Sequence, residues 1–204
     1  MPLPTTVIYE ENYDSLTSMD ATNAANLWYS QHAAAAVSLQ ADSNGGKYVQ
    51  FAPGSANSRG AISTFPTEAQ VNGIYVLDFD LALTAGDNQT TEFAVTTENM
   101  AYLNNVINNG IGSGYLFKLS ATNSTTWAVN DGDTFDVAKG QWIHVNALAD
   151  TESGVVALTI TNGDTVLYSD TIEMNGAGTL RGFYIRGGRY QSVTGVDNVT
   201  IKKN

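Results

Sequence analysis

Apolar residues recur at every second position along much of this chain. They fall in short runs separated by clusters of Gly, Asn, Asp and Ser, which is the pattern of half-buried strands. The clearest run is Ile74–Leu83. Tyr75, Leu77, Phe79, Leu81 and Leu83 take one side, and Asp78 and Asp80 the other. A helix would scatter those two carboxylates around its circumference, whereas a period of two keeps them together. Gln141–Leu148 repeats the pattern, with Ile143, Val145 and Ala147 opposite Trp142, His144 and Asn146. Phe183 and Ile185 alternate with Tyr184 and Arg186, so that segment has an apolar side and a side with a ring and a cation.

Weaker alternation predicts strands at Val7–Tyr13, Val37–Gln40, Tyr48–Phe51, Ala61–Phe65, Phe93–Val95, Tyr115–Leu119, Trp127–Val129 and Thr134–Val137. A closing strand runs through Val196, Val199 and Ile201. Val155–Thr161 and Thr165–Ile172 read as a hairpin through Asn162–Gly163. Helix is confined to short turns within Asp20–Leu27 and Glu98–Ile111. Roughly thirteen or fourteen strands at this spacing predict an all-β, two-sheet antiparallel jelly-roll sandwich. The first and last strands are expected to lie side by side. Residues 1–6 read as a linker and 7–204 as a single domain.

Composition narrows the function. The formal charge is −11, from 20 acidic and 9 basic residues. Nucleic-acid binding depends on cations neutralising phosphates, so it is not expected. No run is long and apolar enough for a membrane span, and membrane insertion is not expected either. There are no cysteines, which removes disulfides and thiolate metal sites.

The order of signals resembles a known family. An opening YEENYDSL, a Trp28–Tyr29 pair, GGKYVQF, the YVLDFDLAL strand, GQWIHVNALAD followed by GVVALTI, and a closing VDNVTI span almost the whole chain. Together they resemble the concanavalin A-like lectin/glucanase sandwich, and in particular the noncatalytic domains of secreted polysaccharide-degrading proteins of gut and rumen bacteria. The resemblance implies two curved antiparallel sheets, with sugars bound on one sheet or at its rim. It also implies a monomeric carbohydrate-binding module of a larger secreted or cell-surface bacterial protein. An adhesin-like, protein-binding role is the further alternative.

Hydrolases of the sandwich it resembles carry two or three acidic residues on one strand in a Glu-x-Asp-x-x-Glu pattern. Here only Asp78 and Asp80 stand in the long strand, with Ala82 on the same side. The reading is therefore not an enzyme, with polysaccharide lyase or glycoside hydrolase as the alternative. Lyases of such a sandwich use a Gln-x-His unit. This chain has Gln141-Trp142-Ile143-His144 instead, and a lone strand histidine more often bonds its neighbours.

Sugar binding calls for aromatic rings against the C–H face of a pyranose and polar side chains around its edge. Trp28, Tyr29, Trp127, Tyr184 and Tyr190 are the expected rings, with His32, Arg186, Arg189 and Gln191 beside them. Trp142 is read as packing. No cofactor is required, but the resemblance is compatible with a structural calcium near the paired chain ends. Glu10, Glu11, Asp14 and Asp197 are the candidate oxygen donors. A strongly acidic chain repels polyanions at long range, so neutral plant polysaccharides are favoured. An α-glucan such as starch is the first expectation, because its curved chain suits rings set at an angle.

Overall fold

The computed structural model describes residues 3–17, 29–30, 37–52, 59–85, 91–98, 109–187 and 192–204. Its strands, in chain order, are β1 Thr6–Glu11, β2 Tyr29–Ser30, β3 Val37–Ala41, β4 Lys47–Phe51, β5 Arg59–Ile62, β6 Ile74–Thr84, β7 Glu92–Thr96 and β8 Tyr115–Ala121. They continue as β9 Thr126–Val129, β10 Thr134–Asp136, β11 Trp142–Asp150, β12 Val155–Asn162, β13 Thr165–Glu173, β14 Gly182–Gly187 and β15 Val193–Lys203. A 3-10 turn at Thr67–Ala69 precedes β6.

Two antiparallel sheets form a sandwich. One has eight strands in the order β13-β12-β11-β6-β15-β4-β3, with β1 added along the second half of β15. The other has seven, ordered β10-β9-β8-β7-β14-β5-β2. The chain ends meet as expected: Thr6 lies opposite Lys203 and Glu11 opposite Val199. Strand pairing begins one residue earlier than the sequence pattern indicated, and Pro4 is already buried. Of the stretches expected to hold helical turns, Asp20–Leu27 and most of Glu98–Ile111 lie outside the described residues.

Period two decides what is buried. Tyr75, Leu77, Phe79, Leu81 and Leu83 of β6 enter the core with Val145, Val156, Leu158, Val196 and Ile201 from the same sheet. Phe93, Val95, Phe117, Leu119, Phe183 and Ile185 meet them from the other sheet. Phe79 and Phe183 touch across the sandwich, with ring centroids 4.9 Å apart. The β12–β13 hairpin pairs Asn162 with Thr165, so its loop is Gly163–Asp164, one residue later than expected. Gly163 takes φ 54° there, a left-handed conformation that costs an L side chain energy.

Candidate functional site

The outward side of the eight-stranded sheet carries the polar half of each alternating strand. Three neighbouring strands align their outward residues in rows. Trp142 of β11 faces Ala82 of β6, which faces Gly195 of β15. One row along, His144 faces Asp80, which faces Asp197. Asn146 faces Asp78 and then Thr200 in the next row.

The first row explains the position of Trp142. Ala82 and Gly195 leave the sheet surface bare beside it, so the indole lies across two strands and reaches Tyr48 on β4. The two rings meet edge to face, centroids 5.1 Å apart at 86°. A Cβ at position 195 would stand 3.0 Å from the Trp142 Cη2 and 3.2 Å from Tyr48 Cδ2. Glycine is what lets both rings settle against the sheet.

The second row carries charge. His144 Nδ1 lies 2.9 Å from Asp80 Oδ1, and its Nε2 lies 3.2 Å from Asp78 Oδ1. A neutral imidazole can donate to only one of the two carboxylates at a time. Asn146 Nδ2 donates to Asp78 Oδ1 at 2.8 Å, and Asn198 Nδ2 donates to Asp80 Oδ2 at 2.8 Å. Asn198 reaches back because β15 bulges there. The register slips between Asp197 and Thr200, and Asn198 has φ 50°.

Rings and carboxylates line one cavity of about 380 Å³, walled by Tyr48, Trp142, Asp80, Asp197, Asn198 and the 41–44 turn. Asp42 Oδ1 braces that turn by accepting the backbone N–H groups of Asn44 at 2.7 Å and Gly46 at 2.8 Å. Asp197 is 9% exposed. Its Oδ1 accepts the Asn198 backbone N–H at 2.8 Å. Burial pushes its carboxyl up from 3.8 to about 6, and the charges of Asp80, Asp14 and Asp42 add to the rise.

The sign of that shift fixes a prediction. A folded-state value above the unfolded one means that the native state holds more protons between them, so stability falls as pH rises through about 6. Asp197→Asn keeps an acceptor for Asn198 and removes the charge. The variant should melt higher than wild type at pH 8, by about 1 kcal/mol after allowing for solvent screening, and no higher near pH 4. Thermal melts across that range test it, and an advantage that did not grow with pH would count against the buried charge.

The residues expected to bind calcium do not gather around one point. Glu10 is exposed on β1. Glu11 Oε1 accepts the Tyr13 N–H at 2.7 Å, and Asp14 Oδ1 accepts the Lys47 N–H at 2.7 Å. Among the described residues, no group of three or more His, Asp or Glu side chains is arranged to hold a metal. These four do not fit a calcium ion as a set.

The rings named from sequence fare unevenly. Trp127 is fully buried: its strand parity turns it inward, where it faces Ala121 on one side and Phe135 on the other. It offers no surface to a sugar. Tyr184 and Arg186 do point away from the main core, yet they are buried too. Tyr184 packs in a second apolar cluster with Ala94, Ile111, Tyr115 and Ile62. Its hydroxyl donates to Glu92 Oε2 at 3.4 Å, and burial pushes the phenol up. Arg186 Nη1 stands 3.7 Å from the same carboxylate. Ile111 covers this corner by donating its backbone N–H to Glu92. Tyr29 is described by its backbone alone, opposite Ile62. Trp28, His32, Arg189, Tyr190 and Gln191 lie outside the described residues.

Trp142 corrects the reading in the other direction. It does pack, against Tyr48 and Gly195, but on the outward face with 36% of its surface exposed. Its alternation with Ile143 and Val145 was the available signal. Tyr48 and Gly195 had none, because their meeting depends on strand order.

No family model matches the chain, and no curated protein matches it. Solved structures do. A sialidase aligns with TM-score 0.65 at 12% identity over 99% of this chain, which spans 19% of the sialidase. The GH131 β-glucanase catalytic domain from Podospora anserina aligns at 0.63 with 14% identity, over 98% of this chain and 97% of the glucanase. The lectin UEA-II, solved with galactose, aligns at 0.57 with 9% identity, over 98% and 100% of the two chains. The fold is thus the concanavalin A-like lectin/glucanase sandwich, a jelly roll with its terminal strands paired.

Proposed function

We propose that the chain is a noncatalytic carbohydrate-binding domain whose ligand lies in the Tyr48–Trp142 cavity. The observation that carries this reading is the ring pair of exposed Trp142 and half-buried Tyr48, with carboxylates and amides at its edge. Aromatic rings cover the C–H face of a pyranose at little entropic cost, and Asp80, Asp197, Asn44 and Asn198 can bond hydroxyls around it. Lectin and glucanase neighbours on the same fold support the class, as does the resemblance in sequence. Among neutral plant polysaccharides an α-glucan such as starch comes first, since rings at 86° suit a curved chain better than a flat one. The setting we propose is a monomeric domain of a larger secreted or cell-surface bacterial protein.

A second reading, glycoside hydrolysis, rests on the direct opposition of Asp80 and Asp197. Retaining hydrolases need two carboxyl groups about 5–5.5 Å apart, and side chains directly opposite on antiparallel strands approach that closely. Pull-downs on insoluble starch, cellulose, xylan and pectin, with reducing ends assayed in the supernatant, separate the two. Retention without new reducing ends is the expected result. Release of sugar that Asp197→Asn abolishes would replace binding by hydrolysis. Retention on none of the four polymers would remove the plant-polysaccharide reading.

A further inference from the structure

The cavity combines features that a neutral sugar does not by itself require. Asp80 and Asp197 stand directly opposite on β6 and β15, both outward, and like charges so placed repel. Asp197 is nine-tenths buried, and among the described residues its one hydrogen bond uses a single oxygen, from the N–H of its own neighbour. Asp42 adds a third carboxylate to the wall. Among the described residues no Lys or Arg lines the cavity. The nearest lysine in sequence, Lys47, turns its Nζ to the carbonyls of Asp14 at 2.8 Å and Leu16 at 2.6 Å. His144 is held between Asp78 and Asp80 on the far side. Two aromatic rings, whose π faces attract cations, close the remaining wall. The chain as a whole carries −11, a field that draws cations toward it.

The geometry points to an amino sugar as the preferred ligand of this cavity: a pyranose ring against Trp142 and Tyr48, with a protonated amine between Asp80 and Asp197. This inference rests on the carbohydrate-binding reading and departs from its first ligand, because a neutral α-glucan carries no amine. An ammonium brings three donors and a positive charge, so it can satisfy the free Asp197 oxygen and relieve the repulsion with Asp80. A hydroxyl at the same carbon brings one donor and no charge. An N-acetyl group removes the charge altogether, and a uronate adds another negative one.

The test uses the methyl glycosides of glucose, glucosamine, N-acetylglucosamine and glucuronic acid, with methylammonium as a ringless cation. Each is titrated into the full chain at neutral pH and low salt, followed by amide NMR shifts. Glucosamine should bind about tenfold tighter than glucose, the difference one charged hydrogen-bonded contact makes. N-acetylglucosamine should match glucose, and glucuronate should be weakest. The advantage should shrink in high salt and vanish in Asp80→Asn. Asp197→Asn serves as the second variant, because Asp80 also holds Asn198 and His144.

Equal affinity for glucose and glucosamine overturns the inference, as does an advantage that survives both variants. Methylammonium binding as tightly as glucosamine would remove the sugar from it. Calcium added alone, if it saturates and abolishes the preference, would make the corner a metal site instead. Starch retained with no amine preference sinks this inference alone. Failure of every glycoside and every polysaccharide sinks the carbohydrate reading with it.

Discussion

Trp127→Ala is expected to destabilise the domain by about 3–5 kcal/mol, the usual cost of emptying a large aromatic site in a core. The ring has no exposed surface and sits in the main cluster, facing Phe135 and Ala121 from adjoining strands. A cavity between two sheets cannot collapse without moving strands, so relaxation recovers little. Trp127 also buries its Nε1–H with no acceptor among the described residues. Removing that donor returns part of its desolvation cost, so Trp127→Phe should be much milder than the alanine change. Thermal or urea unfolding measures both. Polysaccharide binding by the molecules that remain folded should be unchanged, because the ring lies in the core and not in the cavity. Loss of binding at unchanged stability would return Trp127 to the ligand surface.

The contrast between Trp127 and Trp142 says what the sequence could reveal. Alternation is a local property, and it located the strands well. The inward side of β6 is the one predicted, residue for residue, and the pairing of the chain ends followed from the need of a closing strand for a partner. Trp127 is flanked in sequence by Asn, Ser and Thr, a setting that suggests an exposed ring. Those belong to a turn in which Asn123 Oδ1 accepts the N–H groups of Thr125 and Thr126, both at 2.8 Å. Their polarity describes the turn and not the strand that follows it. Alternation likewise put Tyr184 and Arg186 on the side away from the core, correctly. It could not report that Ile111, more than seventy residues earlier, covers them.

The cavity was still less legible. Tyr48, Asp80, Trp142 and Asp197 lie on four different strands, adjacent only because the order runs β11-β6-β15-β4. Strand order across a sheet is set by long-range pairing, which leaves no mark in local spacing. Asp197 was singled out as a metal ligand for its place near the paired chain ends. It does lie in the strand that pairs with β1, yet its neighbours are Asp80, Asp14 and Asp42 rather than Glu10 and Glu11.

Trp142→Ala should weaken polysaccharide binding by on the order of 1–3 kcal/mol, the range found for one ring stacked on a nucleic-acid base. That is about tenfold or more in affinity. The fold should lose less than with Trp127→Ala, since the indole is 36% exposed and rests on the outside of the sheet. Its packing partners are the edge of Tyr48 and the backbone at Gly195, and an aromatic pair of this kind contributes only about 0.5–1.5 kcal/mol beyond its buried area. The two tryptophans should therefore divide: alanine at 127 acts chiefly on the melting temperature and spares binding, while alanine at 142 acts chiefly on binding. Tyr48→Ala should follow Trp142→Ala, because each ring fixes the tilt of the other. Retention on insoluble starch, compared with cellulose, xylan and pectin, reads the affinity, and melting curves read the stability. If Trp142→Ala binds its polysaccharide as well as wild type, the cavity is not the sugar site, and Trp28, Arg189, Tyr190 and Gln191 become the residues to replace next.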